Sequence, residues 1–299
     1  MALHEVATKQ RKDPIPVYAE MGSINPIFVL PGAAKERTAQ IAEGLKTSVT
    51  GSMGQLCTKP GLVFVAGEAA PALIDQINNL IAATPGAPLL NQGIKETFET
   101  SVNKLSHIKG VKGAVPPKTG TLSSLPTPHR SSRDTIGIHP HPVVFHTTGD
   151  VFLREREHLM EEVFGPYTLV VRCEGGLKEM EQLAQLLPGQ LAGVVHLTEK
   201  ETAEGESLVR TLQKRVGRVV FNAFPTGVAV CPSMHHGGPF PATTTPHWTS
   251  VGTDSIRRFT RPLCFQGAPQ SLLPPELQNE NSRNIWRLVN NTLTKDSLS

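Results

Sequence analysis

The sequence predicts an α/β protein in which a parallel β-sheet is flanked by helices. Apolar segments typical of strands alternate along the chain with segments whose apolar residues repeat at helical spacing. The run GLVFVAG (61–67) is continuously apolar and bounded by glycines, which is typical of a strand covered on both faces. The 299 residues suffice for one large or two ordinary domains.

The first third of the chain supplies strand and helix in turn. The first dozen residues predict a short helix, and PIPVYAEMG (14–22) predicts a strand that ends at a glycine. The apolar stretch NPIFVLPGA (25–33) follows. Amphipathic helices are then predicted at ERTAQIAEGLKTSVT (36–50) and at APALIDQINNLIAAT (70–84), on either side of the run at 61–67.

The pattern breaks between about residues 107 and 142, where Pro, Ser, Thr and Gly predict a long loop or a partly ordered insertion. Regular structure then resumes. Strands are predicted at PVVFHTT (142–148), YTLVVRC (167–173), LAGVVHLT (191–198), GRVVFNAFP (217–225) and RPLCFQ (261–266). Helices are predicted from Arg154 to Glu162 and at LKEMEQLAQLL (177–187), ESLVRTLQKRV (206–216) and GTDSIRRF (252–259).

Composition excludes several classes of protein. The net charge of +3 and the lack of a basic stripe with interleaved aromatics argue against a nucleic-acid partner. The sequence contains no apolar run of about 18 residues, so no membrane span is predicted. The N-terminus lacks the apolar centre of a signal peptide, and a cytoplasmic protein is therefore expected. The four cysteines form no CxxC pair, which argues against structural zinc and a disulfide framework.

One cysteine stands in an unusual loop, GSMGQLCTKPG (51–61). Small residues around Cys57 would let a substrate and backbone amides approach the thiol closely, as a nucleophile requires. The alternative is a buried cysteine that acts as a small hydrophobic residue. Cys173 and Cys264 lie in predicted apolar strands and are expected in the core, whereas Cys231, in VAVCPSM, stays open as an alternative. Cys57 is the candidate reactive thiol.

Two acidic features accompany this cysteine. Glu20 stands where a predicted strand runs out into a glycine, so its carboxylate could serve as a general base, or it could be an ordinary solvated charge. In EEVFGP (161–166), the carboxylate of Glu162 could accept the hydroxyls of a ribose and Phe164 could pack on a flat ring. The alternative there is a helix end followed by a turn.

Histidines at 139–141 and at 235–236 invite comparison with metal sites. Neither cluster has a carboxylate or a third ligand at suitable spacing, and adjacent histidines on a strand point to opposite faces. No metal site is therefore predicted.

Taken in order, AEMGSINP (19–26), GQLCTKPG (54–61) and EEVFGP (161–166) resemble the aldehyde dehydrogenase superfamily. GRVVFNAFPTGV (217–228) and HHGGPFPAT (235–243) resemble its last catalytic strand and C-terminal loop. The form EMGSINP and the tail PPEL…IWRLVN (274–290) are most similar to its α-ketoglutaric semialdehyde dehydrogenase branch.

The resemblance implies a function and a set of roles. Cys57 would attack an aldehyde, and the expected substrate is a carboxylate-bearing semialdehyde. Hydride would then pass to NADP or NAD to leave a thioester. Glu20 would activate the water that releases the carboxylic acid. Glu162 would hold the nicotinamide ribose and Phe164 would line the nicotinamide pocket. Family members are homo-oligomers.

The resemblance also implies a division of the chain. Residues 1–25 would be a remnant of the Rossmann-like cofactor domain with a strand at 15–19, residues 26–230 the catalytic domain, and residues 231–299 the C-terminal loop, last strand and tail. The chain resembles the C-terminal three-fifths of the family, without its oligomerisation hairpin and without a Gly-rich phosphate loop.

Three functions follow as alternatives. The chain is an aldehyde dehydrogenase, or a truncated and inactive fragment that associates with full-length subunits through RPLCFQ (261–266), or a thiol hydrolase that uses Cys57 and Glu20 without a cofactor. Arg130, Arg133 and Arg154 are candidate anchors for an anionic substrate.

Overall fold

Six parallel strands form the central sheet of the computed structural model, which describes residues 2–113 and 139–298. The strands are β1 (Ile27–Val29), β2 (Leu62–Ala66), β3 (Val143–Thr148), β4 (Tyr167–Cys173), β5 (Gln190–His196) and β6 (Val216–Phe221). Their spatial order is β3-β4-β2-β1-β5-β6, and every neighbouring pair is parallel. The α/β class and the parallel sheet predicted from the sequence are confirmed.

The inner strands β1, β2, β4 and β5 are buried on both faces, whereas the edge strand β6 is mostly half-buried. In β2, Leu62 and Phe64 belong to one hydrophobic cluster, whereas Val63 and Val65 point to the other face. The rings of Phe28 and Phe64, paired in register on β1 and β2, stack with centroids 4.9 Å apart. This two-sided burial explains why the strands show continuous apolar runs rather than alternation.

The described ranges contain nine α-helices, and the longer ones pack on the sheet or on one another. The nine are α1 (Ala2–Glu5), α2 (Pro31–Glu36), α3 (Thr38–Thr50), α4 (Ala70–Ala82), α5 (Gln92–Ser106), α6 (Gly149–Arg154), α7 (Arg156–Leu159), α8 (Gly176–Leu186) and α9 (Thr202–Leu212). A π-helical turn, Val6–Gln10, continues α1. None of these helices is long and apolar enough to cross a membrane.

Helix α5 has no counterpart among the predicted elements, although its sequence carries the signals. The side chain of Asn91 caps the helix by accepting a hydrogen bond from the backbone N–H of Ile94 at 2.9 Å. Phe98, Val102 and Leu105 then bury one stripe at helical spacing. The predicted helix from Arg154 to Glu162 is shifted: helical structure occupies 149–154 and 156–159.

The strand predicted at 14–22 does not form, so the predicted remnant strand at 15–19 is wrong. Pro14 and Pro16 lack the N–H that a ladder needs. The segment instead makes one isolated antiparallel bridge, between Glu20 and Thr243. The backbone N–H of Met21 also donates to the carbonyl of Ala242 at 2.8 Å. The residues before β1 are therefore fixed by the chain around 242–244.

The chain divides into two compact units, one ending at Arg258 and one starting at Phe259. A 3₁₀-helix, Thr253–Phe259, stands where a short helix was predicted. The second unit contains the antiparallel pair β7 (Arg287–Val289) and β8 (Thr292–Thr294). The strand predicted at 261–266 is wrong: these residues are exposed, and within the described ranges no strand pairs with them. The predicted division at residues 25 and 230 stays a prediction.

Most of the predicted loop at 107–142 lies outside the described residues, as do Arg130 and Arg133. At its described start, Lys112 forms an isolated bridge with His146 of β3.

Candidate active site

The site lies at the edge of the sheet where parallel strands begin. Glu20 precedes β1, Cys57 precedes β2, Glu162 precedes β4, and Gln190 opens β5. Because parallel strands start at the same edge, chain segments far apart in sequence meet there. Glu20 therefore lies in front of a strand rather than at the end of one, where the sequence predicted it.

The loop that carries Cys57 depends on unusual backbone geometry. Ser52, Met53 and Gly54 have φ of 51°, 54° and 65°, in the left-handed region that favours glycine. A Cβ on Gly54 would lie 2.1 Å from the carbonyl oxygen of Gly165. The cysteine loop is thus packed directly against the EEVFGP segment, and it leaves Cys57 exposed.

A fully buried asparagine fixes the backbone of the cysteine. Asn25 is 0% exposed, and its Nδ2 donates to the carbonyl oxygens of Cys57 and Lys59, each at 3.0 Å. Its Oδ1 accepts a hydrogen bond from Ser23 Oγ at 2.9 Å. Asn25 itself has φ of 46°, which asparagine tolerates better than most residues. The short polar run before β1 is therefore a frame for Cys57.

Gln190 ties the same frame to the sheet. Its Oε1 accepts from the backbone N–H of Ile24 at 2.7 Å and lies 3.0 Å from Ser23 Oγ, whose single proton is shared between Gln190 and Asn25. Since Gln190 is 2% exposed and lies at the start of β5, these bonds are shielded from water. Buried and satisfied polar networks of this kind hold a site in one arrangement.

Lys59 joins the cysteine loop to the EEVFGP segment. Its ammonium donates to the carbonyl oxygens of Val163 and Tyr167, each at 3.0 Å. Burial lowers the pKa of Lys59 to about 8, and the negative charge of Glu162 counteracts this shift. The cation thereby links two segments of the site that are a hundred residues apart in sequence.

Glu20, Cys57 and His236 meet at the centre of the site. His236 Nε2 lies 3.5 Å from Cys57 Sγ and 3.0 Å from Glu20 Oε2. The three donor atoms all lie within 4.8 Å of one another. No carboxylate stands at a suitable spacing from His236 in the sequence, and it is the fold that brings Glu20 to this histidine.

Main-chain contacts place His236 over the cysteine. Its backbone N–H donates to Thr249 Oγ1 at 2.8 Å, and its carbonyl accepts from the N–H of Ser250 at 2.9 Å. The following glycines allow close backbone contact with the sheet, since a Cβ on Gly238 would lie 2.2 Å from the carbonyl oxygen of Gln190. The HHGGPFPAT segment can thus cross the sheet edge only with glycine here.

The pKa values of His236 and Glu20 shift in the directions that favour a cation beside an anion. Hydrogen bonds to Cys57 and to Glu20 raise the pKa of His236 to about 9. The hydrogen bond from His236 lowers the pKa of Glu20, although burial opposes this shift. An imidazolium beside a carboxylate and a thiol is consistent with both directions. His236 is therefore placed to hold or move a proton between the sulfur and the carboxylate.

Glu162 stands beside the same frame. Its Oε2 accepts from the backbone N–H of Ser23 at 3.1 Å, and burial raises its pKa. It lines a cavity of about 350 Å³ together with Met21, Gly22, Ser23, Gln190 and Phe240. A Cβ on Gly22 would lie 2.9 Å from the Glu162 Oε2, so glycine keeps the space in front of the carboxylate open. Phe164 is 36% exposed and does not line this cavity.

The remaining predicted candidates lie elsewhere. Cys173 is buried in β4, and burial raises its pKa, as expected for a core thiol. Cys264, expected in the core, is instead exposed because the strand predicted around it does not form. Arg154 donates to the carbonyl of Lys109 at 3.1 Å and pairs with Glu155, so it is engaged at the surface.

An arginine that the sequence did not single out is coupled to the cysteine. Burial lowers the pKa of Arg218 on β6, and the negative charge of a Cys57 thiolate counteracts this shift. Arg218 Nη1 also donates to the carbonyl of Gly227 at 2.7 Å. His236 and Arg218 were both missed because neither stands in a spacing pattern with Cys57.

The sequence profile of the aldehyde dehydrogenase family matches residues 2–240. An α-ketoglutaric semialdehyde dehydrogenase of Acinetobacter baylyi is 36% identical over 299 residues, which is 99% of this chain and 53% of that protein. An α-ketoglutaric semialdehyde dehydrogenase 2 of Azospirillum brasilense is 37% identical over 289 residues, covering 96% of this chain and 52% of that protein. The chain therefore spans about half the length of these curated relatives.

Solved structures share the fold. A putative methylmalonate-semialdehyde dehydrogenase from Sinorhizobium meliloti, complexed with NAD, aligns with a TM-score of 0.64 at 20% identity. The alignment covers 82% of this chain and 47% of that one.

Proposed function

The chain belongs to the aldehyde dehydrogenase family, and on that premise we propose that its Cys57 site oxidises a carboxylate-bearing semialdehyde to the carboxylic acid. The observation that carries the proposal is the contact of Cys57 Sγ with His236 Nε2 at 3.5 Å, beside Glu20 at 3.0 Å from the same nitrogen. The names of the curated relatives favour α-ketoglutaric semialdehyde as the substrate.

Cys57 supplies the nucleophile. Its sulfur, as the thiolate, forms a bond to the aldehyde carbon, and the carbonyl oxygen takes a proton, so that a thiohemiacetal forms. His236 can donate this proton, because its Nε2 contacts the sulfur. The small residues of the loop and the exposure of Cys57 leave room for the substrate.

The cavity beside Glu162 supports a nicotinamide cofactor. The Glu162 carboxylate would accept the ribose hydroxyls, with Gly22 leaving the approach open. Phe164 does not line this cavity, so its half-exposed ring would contact the nicotinamide ring only outside the cavity. When bound, the cofactor supplies a hydride acceptor, either NADP or NAD.

Release of the acid needs a base. A water molecule would attack the thioester carbon while Glu20, paired with His236, removes its proton, and the carbon–sulfur bond breaks to restore the Cys57 thiolate. The position of Glu20 supports this role, because its carboxylate lies within 4.8 Å of the Cys57 sulfur. Arg218 would help to hold the carboxylate of the substrate, since its charge acts at Cys57.

The test combines turnover with detection of the acyl group. The purified chain is supplied with α-ketoglutaric semialdehyde and NADP or NAD, reduced cofactor is followed by absorbance, and trapped acyl groups are located by peptide mass spectrometry. Activity should disappear in Cys57→Ser, and the acyl group should accumulate on Cys57 in Glu20→Gln. Cys231→Ser is the matched control and should behave as the wild type.

Turnover that persists in Cys57→Ser, or an acyl group located on another cysteine, would contradict the proposal.

A second function, cofactor-free hydrolysis by the Cys57 thiol, is favoured by one observation: a histidine paired with a carboxylate contacts the sulfur. Hydrolysis of p-nitrophenyl acetate without nicotinamide tests it. Hydrolysis that depends on Cys57 and exceeds aldehyde oxidation would favour this second function over the first.

A further inference from the structure

The meeting of a thiol, an imidazole and a carboxylate has a chemical consequence beyond oxidation. Glu20, Cys57 and His236 each offer one ligand atom, and these atoms lie within 4.8 Å of one another. We propose that the three side chains form a binding site for Zn²⁺, and that the bound ion blocks the Cys57 thiol. The proposal does not depend on aldehyde oxidation, because it concerns only these three ligands.

Two of the three distances between the ligand atoms are close to those in a zinc site. With zinc–sulfur and zinc–nitrogen bonds of about 2.3 Å and about 2.0 Å, tetrahedral coordination places sulfur and nitrogen about 3.5 Å apart. The observed separation of Cys57 Sγ and His236 Nε2 is 3.5 Å. The same geometry places nitrogen and a carboxylate oxygen about 3.3 Å apart, and His236 Nε2 and Glu20 Oε2 are separated by 3.0 Å. The Cys57 sulfur and a Glu20 carboxylate oxygen lie within 4.8 Å of each other, and rotation of these exposed side chains would bring them to the distance of about 3.5 Å that completes the set.

The donor set selects the class of metal. A thiolate favours Zn²⁺ over the hard ions Mg²⁺ and Ca²⁺, which prefer oxygen ligands alone. Imidazole and carboxylate also bind zinc well. Three protein ligands leave the fourth position open, and the exposure of Cys57 and Glu20 gives the ion a path from solvent.

The ligands are held in place by contacts that do not involve a metal. Asn25 binds the carbonyl of Cys57 at 3.0 Å, and Thr249 binds the backbone N–H of His236 at 2.8 Å. The backbone of Glu20 forms an isolated β-bridge with Thr243. A site whose ligands are already positioned loses little conformational entropy on binding. Zinc binding therefore follows from the same frame that holds the cysteine.

Calorimetric titration of the reduced, purified chain with Zn²⁺ tests the site. Glu20→Gln, Cys57→Ser and His236→Gln should each weaken binding by roughly ten-fold or more, the size expected when coordination is impaired. His235→Gln and Cys231→Ser are matched controls, because they change the adjacent histidine and a nearby cysteine that are outside the three-ligand set; they should bind as the wild type does. Equal weakening in the controls, or unchanged binding in the ligand variants, would overturn the proposal.

A second measurement uses the wild-type chain and so does not depend on the variants folding. Zn²⁺ should slow the alkylation of Cys57 by iodoacetamide, EDTA should restore it, and Mg²⁺ should have no effect, as read by peptide mass spectrometry. Co²⁺ should give a thiolate-to-cobalt charge-transfer band. Alkylation of Cys57 at the same rate with and without Zn²⁺ would overturn the proposal.

Discussion

Two buried histidines, one in the loop above Cys57 and one at the end of β5, lie in opposite electrostatic surroundings. The side chain of His236 is 7% exposed, and hydrogen bonds to Cys57 and Glu20 raise its pKa to about 9. His196 is 2% exposed, and burial lowers its pKa to about 4. Neither ring nitrogen of His196 has a hydrogen-bond partner in residues 2–113 and 139–298, and its ring lies 5.1 Å from that of Phe224.

The difference teaches that burial alone does not decide the charge of a histidine here. Burial by itself favours the neutral ring, as at His196. At His236 the same tendency is reversed by two partners that come from the beginning of the chain. The His196 region is formed by a strand in the core, whereas the His236 region is assembled from three distant segments.

The two histidines should differ most in their contribution to activity. His236→Gln should lower aldehyde oxidation by about 10²-fold or more, because a group that moves a proton typically contributes that much. His196→Leu should leave the specific activity of folded protein within about two-fold, since that ring has no hydrogen-bond partner among the described residues. The measurement is kcat/KM for each variant, with circular dichroism to establish folding. Equal losses in the two variants would mean that the histidines do not differ in role.

The next effect is on stability in acid. The pKa of His196 is about 4 in the folded chain and 6.5 as its ordinary value, so the unfolded chain binds the proton first as the pH falls. Stability is therefore complete above about pH 6.5 and is lost as the pH falls toward 4, by up to about 3 kcal/mol. Urea unfolding at about pH 7 and about pH 4 measures this loss.

His196→Leu should remove that part of the acid sensitivity, because leucine does not titrate. His236→Gln, as the control, should retain it. If the free energy of unfolding of the wild type were the same at about pH 4 as at about pH 7, the assignment of a neutral, buried His196 would be contradicted.

The smallest effect concerns the backbone that supports the Cys57 region. Gly54→Ala should destabilise the chain by about 2 kcal/mol, because its φ is 65° and the added Cβ would strike the carbonyl of Gly165. Gly51→Ala is the matched control, since nothing lies within 4 Å of its Cβ position and its φ is −54°. Thermal unfolding of both variants provides the measurement; equal shifts in Tm would show that the contact with Gly165 is not required.

Much of the fold could be predicted from local pattern. The strands at 62–66 and 167–173 are apolar throughout because both of their faces are covered, and that property is visible in the sequence. The strand predicted at 261–266 is also apolar in part, yet it does not form, because a strand needs a neighbour and apolar residues alone do not supply one.

The amino-acid sequence by itself determined the α/β class and the presence of Cys57, Glu20 and the EEVFGP segment in family order. Only the tertiary structure decided that His236 lies between Cys57 and Glu20, that Lys59 is buried, and that His196 stays neutral. The physical reason is that helix and strand signals arise from neighbours in sequence, whereas hydrogen bonds and pKa values depend on distances between segments that only the folded chain sets.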